Sequence, residues 1–480
     1  MGVRDEPSGP AAEAADPAQP PALRAVLASR RYRRLLALCV VVGVPIALVC
    51  FGFVGLQHEL QHAVWRELPE ALGFDRAPWW WPLPTLLLAG LVLAPVVTRM
   101  PGGGGHLPVN GLGGAPLGPD ALPGVLIAAL ATLPLGVVLG PEAPLMAVGS
   151  GLALLAARAA RRALALRAER RASSSASASS PGGPGGPGGG GDGAPLGPQE
   201  STLLATAGST AAISTILGGP VAAAVLVVEG AGLAGGRLVV LLLPCLLASA
   251  AGAVVFTGFG HWTGLSIGAL KLPTVPPDVN PDAGDFLWGV PLAALIALAV
   301  AAARWLGRRT AWSTRRNTAL RTVAYGLAVG VCLAAYALLT GRSPEEAALS
   351  GQETLGRLAA QPHDWSVLAL LALVLCKGLA WALCLGAMRG GPIFPGVLIG
   401  AALGIACSGL PGLGTTPALA LGIAAATAAL TGLPLTSAVL AVLLLGADAS
   451  EQMPLIVTAS VVAFMTAQLA TRPAARGDGP

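Results

Sequence analysis

The feature that most limits what this chain can become is the recurrence of apolar stretches of membrane-spanning length. Leu35–Val54 holds no charged residue, and similar runs follow at Leu83–Val97, Leu122–Leu139, Leu238–Phe256, Val290–Ala303, Thr322–Leu339, Val367–Leu385 and Pro454–Leu469. Crossing the hydrocarbon core takes about 20 apolar residues, fewer where a helix tilts or stops partway. With 54% hydrophobic and 11% charged residues over 480 positions, and a mean hydropathy of +0.71, the chain lacks the polar surface that a water-soluble domain needs. The expected class is an all-α, multi-pass membrane protein set in a lipid bilayer.

Charge gives the orientation. Arg24, Arg30, Arg31, Arg33 and Arg34 abut the first apolar run, and further basic clusters lie at Arg158–Arg171 and Arg304–Arg321. The positive-inside rule places all three, and the N-terminus, on the cytoplasmic side of the plasma (inner) membrane. These loops account for the net charge of +5 and leave no need for a nucleic-acid partner. The polar, Pro/Ala-rich start has no signal-peptide pattern. Arg171–Pro198, with its Ser/Ala run and Pro-Gly-Gly repeats, reads as a flexible cytoplasmic loop. The seven cysteines sit in apolar segments without ligand spacing, so they read as small apolar residues. No cofactor is expected. The organisation expected is a tail at 1–34, a first membrane half at 35–258 interrupted by the loop 171–198, a second half at 286–470, and a short tail at 471–480.

The two halves carry an internal repeat. Gly140-Pro141-Glu142-Ala143-Pro144 followed by Gly149 resembles Gly391-Pro392-Ile393-Phe394-Pro395 followed by Gly400. Downstream, Ile213–Glu229 resembles Ala428–Leu444, with Pro220 matching Pro434. Gly/Pro-interrupted apolar segments at matching places in two halves point to a binding site near the membrane midplane. A helix that starts inside the membrane leaves backbone N–H groups unpaired, and these with the helix dipole attract an anion. Glu142, a lone acid at such a start, is a functional candidate because an intramembrane carboxylate is costly.

These motifs resemble those of the CLC chloride channels and chloride/proton antiporters. Gly140–Pro144 is similar to that family's G-[RK]-E-G-P signature, Gly390–Pro395 to its G-x-F-x-P signature, and Leu433-Pro434-Leu435-Thr436 to its A-P-L-T start; Lys377 also fits. The resemblance covers roughly residues 35–470 and implies an inverted-repeat bundle of tilted and half-spanning helices, with one pore per subunit of a homodimer. It implies chloride or another small anion as substrate, with protons as a candidate second partner, and no enzymatic reaction. Glu142 would be the gating glutamate. Gly391, Ile393 and Phe394 would face the central anion through backbone amides, with Gly140 and Ala143 at an outer site. Pro141 stands where the family has a basic residue and has no N–H to offer. Gly104-Gly105-His106-Leu107-Pro108 matches the family's serine loop, placing Gly105 at the serine, with His106 beside the anion. The family's tyrosine is replaced by Ala474 or Ala475. Its internal proton-transfer glutamate aligns with Gly230, leaving Glu229, one residue earlier, as the proton-path candidate. Channel against antiporter, and chloride against fluoride or nitrate, stay open, as does a non-transporting member.

A rival reading comes from His58-Glu59-Leu60-Gln61-His62, the H-E-x-x-H spacing that places two imidazoles on one helix face to hold zinc. It would make the chain an intramembrane metalloprotease. No third ligand motif accompanies it, so His58 and His62 read as a chance match and no metal is expected.

Overall fold

The structure, a computed structural model, describes residues 23–111, 116–176, 197–217, 219–233, 235–263, 272, 275, 281–446 and 449–470. Most of the N-terminal tail (1–22), most of the low-complexity loop (177–196) and the C-terminal tail with Ala474 and Ala475 lie outside the described residues.

The first part of the chain forms α1 (Leu23–Ala28), α2 (Arg30–His62), α3 (Leu68–Ala71), α4 (Pro82–Arg99), α5 (Leu122–Thr132), α6 (Glu142–Ala176), α7 (Pro198–Leu217), α8 (Pro220–Ala231) and α9 (Gly235–Thr263). The second forms α10 (Ala283–Thr314), α11 (Thr318–Thr340), α12 (Gln352–Ala360), α13 (Val367–Ala387), α14 (Ile393–Cys407), α15 (Thr415–Thr431), α16 (Pro434–Leu445) and α17 (Ala449–Ala470). Among the described residues, eight helices are long and apolar enough to cross a membrane, and shorter apolar ones lie between them.

Local chemistry sets the boundaries. Ser29 accepts the Tyr32 N–H at 3.1 Å to cap α2, and Ser366 accepts that of Ala369 at 3.2 Å to cap α13. Pro82, Pro220 and Pro434 open α4, α8 and α16, where a missing N–H costs nothing.

Three departures from the apolar pattern have physical causes. The run Leu122–Leu139 is helical only to Thr132, because Pro134 cannot continue the ladder and the chain turns beyond it. That turn needs Gly136 at φ 108, packed under Trp65, whose Nε1–H donates to Pro134 O at 2.9 Å. Helix α7 is too rich in Ser and Thr for a hydropathy scan, yet it enters the core because its hydroxyls bond back to their own helix: Thr210 to Thr206 O and Thr215 to Ala212 O. Helix α15 is buried by protein along almost its whole length, so it needs no bulky lipid-facing residues.

The repeat becomes geometry at glycines. Gly149 of α6 packs on the Gly208 backbone of α7, and Gly400 of α14 on the Gly422 backbone of α15, each leaving no room for a Cβ. Gly208 precedes Pro220 by 12 residues, as Gly422 precedes Pro434. Close helix crossings in membranes rest on such small residues. Gly400→Val should therefore force α14 and α15 apart and abolish the monodisperse peak of the detergent-solubilised protein in size-exclusion chromatography. An unchanged peak would show that the crossing tolerates a side chain.

Arg161 of α6 bonds Ser201 at the start of α7, Arg158 pairs with Asp120 at 3.5 Å, and Arg31 at the start of α2 pairs with Glu200. These contacts define one basic face, toward which α6 runs from Glu142. The far end of α14 is followed by Pro411, whose carbonyl takes the Trp288 Nε1–H at 3.0 Å near the start of α10.

Candidate functional site

Glycine opens the site. Gly140 and Gly391, the first residues of the matched motifs, form an isolated antiparallel bridge, with N–H to O distances of 2.7 and 2.6 Å. The bridge joins the two halves where α6 and α14 begin. Neither glycine has room for a Cβ, because the Glu142 carboxylate fills the space beside both.

Glu142 is fully buried. Its Oε1 accepts the Phe394 N–H at 3.0 Å, and the amides of Ile393 and of Glu142 itself also face the carboxylate. Oε2 has no hydrogen-bond partner. The carboxylate thus sits across the first turn of α14, where unpaired N–H groups gather. A negative group is favoured at that seat, whether this carboxylate or a free anion. An unpartnered buried oxygen makes the seated state a costly one to hold.

The other sequence candidates divide. Ile393 and Phe394 are almost fully buried, and Ala143 is half-buried. Gly102, Gly103, Gly104 and Gly105 all have positive φ (74, 54, 73 and 109), a run that only glycine adopts without strain. His106 follows it as an exposed residue. His106, Ala143 and Gly230 line one cavity of about 420 Å³ on the basic-face side of Glu142, together with Ser150, Thr202 and Thr206. Glu229 is engaged elsewhere: it accepts the N–H groups of Leu435 (3.0 Å) and Thr436 (2.7 Å) and the Thr436 hydroxyl (2.6 Å), capping α16.

Two cations in this region carry no motif of their own. Lys377 is fully buried, and its Nζ donates to the carbonyls of Ala347 (2.9 Å), Ala348 (2.8 Å) and Leu349 (3.2 Å). Arg389, two residues before Gly391, is 9% exposed; its Nε donates to Gly103 O at 2.9 Å and its Nη1 to Met388 O at 3.1 Å. The sequence reading noted Lys377 only as a fit to the family and passed over Arg389. An Arg directly before Gly-Gly-Pro, at the end of a long apolar run, was the available signal.

The zinc reading finds no support. His62 Nδ1 lies 3.2 Å from Glu67, and among the described residues no group of three or more His, Cys, Asp or Glu comes together to hold a metal.

Comparison with known proteins fits the geometry. Residues 108–468 match the family model described as voltage gated chloride channel. Relatives that carry the ion-transport name YfeO, from Escherichia coli O139:H28 and from Shigella boydii serotype 18, are each 29% identical over 384 residues, covering 78% of this chain and 80% of their own. Among solved structures, a slow cyanobacterial Cl−/H+ antiporter superposes with a TM-score of 0.67 at 16% identity, over 91% of this chain and 94% of its own. A CLC-type fluoride/proton antiporter superposes at 0.61 and 17%, over 90% and 95%. At such identity these two establish the fold.

Proposed function

The chain belongs to the voltage-gated chloride channel family, and on that premise we propose that it carries small monovalent anions, chloride foremost, past a gate formed by Glu142. The observation that carries this reading is the Glu142 carboxylate on the Phe394 N–H with its second oxygen unpartnered. Ionised, Glu142 occupies the anion's seat. Protonated, it loses the charge that holds it against the start of α14, and the amides of Ile393 and Phe394 are free for the passing ion. Anion passage then needs no catalytic chemistry, only exchange of one negative group for another at a helix start.

The basic face lies in the cytoplasm on this reading, since three arginine clusters point that way, and the membrane is the plasma (inner) membrane. The cavity lined by His106 and Gly230 is then the cytoplasmic approach to the gate. Glu229 is tied to the start of α16 by three hydrogen bonds, so a proton route through it would break that cap. Coupling to protons is accordingly weak, by water in the cavity rather than by an acid in its wall. The family resemblance implies two subunits, each with its own pathway.

Efflux from proteoliposomes holding the purified protein, read with chloride and fluoride electrodes and an internal pH probe, tests the proposal. Chloride efflux that grows as the pH falls is the expected result. Absence of efflux of any small anion at pH 5, from vesicles carrying monodisperse protein, would overturn it.

A further inference from the structure

The charges buried in the structure do not balance. Among the described residues the buried ionisable side chains are Glu142, Asp285, Glu346, Lys377 and Arg389, the cysteines and tyrosines aside. Asp285 belongs to the cap of α10 and accepts the Gly414 N–H at 2.9 Å, far along the chain from the gate. Glu346 is matched by Arg342 at 2.7 Å and Arg357 at 3.6 Å. That leaves one carboxylate, Glu142, against two cations, Lys377 and Arg389. The balance is positive while Glu142 is ionised and more so once it is protonated.

The two cations are held differently. Lys377 spends its three donors on three carbonyls. Arg389 has five N–H donors, and only Nε and Nη1 are engaged among the described residues, each on a neutral carbonyl. No carboxylate lies within ion-pairing distance of it among those residues. An arginine stays charged at any accessible pH, and a buried charge without a counter-charge is strongly unfavourable. The guanidinium lies between the Gly102–Gly105 loop and the start of the second matched motif. Its Nε holds the Gly102–Gly105 loop, and its Cγ lies 3.5 Å from where a Cβ on Gly104 would be. Two residues on, Gly391 forms the bridge that seats Glu142. Arg389 as a whole residue stays 9% exposed.

We propose that the Arg389 guanidinium is the fixed cation of a second anion subsite beside the Gly102–Gly105 loop, suited to weakly hydrated anions such as chloride or nitrate rather than to fluoride. The proposal rests on the anion-transport reading and adds a residue and a selectivity to it. Guanidinium is more weakly hydrated than an ammonium and presents a planar fork. It gains most from anions that shed water easily and least from fluoride, which does not. The subsite would also explain how the pathway manages with glycine at the position of the family's serine.

The test measures chloride and fluoride binding to the full-length protein in detergent by calorimetry, beside proteoliposome flux. Arg389→Gln should weaken chloride binding about tenfold or more, the loss of a unit charge at close range, and fluoride binding much less. Arg389→Lys keeps the charge and should fall between Gln and the wild type. Should the Gln variant fail to fold, Arg389→His in a Glu142→Gln background decides: chloride affinity should rise as pH falls through about 6.5, where imidazole gains its charge. A flat profile there, or a folded Arg389→Gln protein that binds chloride like the wild type, overturns the subsite. Binding that depends on Arg389 without any flux would keep the subsite and remove the transport reading. Flux with no dependence on Arg389 would do the reverse.

Discussion

Flux through a Glu142→Gln protein should no longer depend on pH and should stay at the level the wild type reaches in acid. Glutamine has the shape of the protonated acid and cannot ionise. In the wild type, raising the pH ionises Glu142, and the carboxylate then holds the Phe394 N–H that the anion needs. Wild-type flux therefore falls as pH rises and recovers as it drops. The size of the effect follows from the bond exchanged. A hydrogen bond to an ionised acceptor contributes about 1.5–3 kcal/mol against about 0.5–1.5 for a neutral one. A difference near 1.4 kcal/mol is a factor of ten in occupancy of the seat, so at neutral pH the variant should pass anions about tenfold faster than the wild type. The measurement is initial chloride efflux from proteoliposomes between pH 4.5 and 7.5. A folded Glu142→Gln protein that passes nothing at any pH would make Glu142 a structural cap of α6 and end its role as a gate.

What the sequence disclosed here was whatever the backbone needs. Gly140, Gly391, Gly149 and Gly400 had to be glycine because another backbone, or the Glu142 side chain, occupies the place of a Cβ. Pro220 and Pro434 had to open short helices. Residues under such constraints repeat visibly, so the two halves and the position of Glu142 could be read before any coordinates. Side-chain partners could not. Glu229 looked like a proton carrier beside a missing acid, whereas its three hydrogen bonds go to the start of α16, 206 and 207 residues away. Arg389 drew no reading from the sequence, and only the fold shows it turned inward onto Gly103. Helices α7 and α15 escaped for a related reason. Hydropathy measures contact with lipid, and a helix surrounded by protein can be made of Ala, Ser and Thr.

The largest loss of stability is expected from Lys377→Met. The Lys377 Nζ is the common donor for three successive carbonyls, those of Ala347, Ala348 and Leu349. To turn them all toward one point the chain holds Leu349 at φ 61, a conformation that non-glycine residues seldom adopt. The ammonium stabilises that conformation. The loop is fixed on both sides, through Leu349 N–H on Gly136 O at 3.4 Å and through Arg342 and Tyr336 on Glu346. Methionine fills much the same volume without a donor, and three buried carbonyls then lack a partner, at about 1–3 kcal/mol each. Such a sum is comparable with the whole stability of many domains, about 5–15 kcal/mol. The purified variant should unfold well below the wild type in a detergent melt, or fail to accumulate. Breaking the exposed Arg66–Glu353 pair gives the control, since surface pairs contribute about 0–1 kcal/mol. A Lys377→Met melt no lower than that control would mean that water satisfies the three carbonyls.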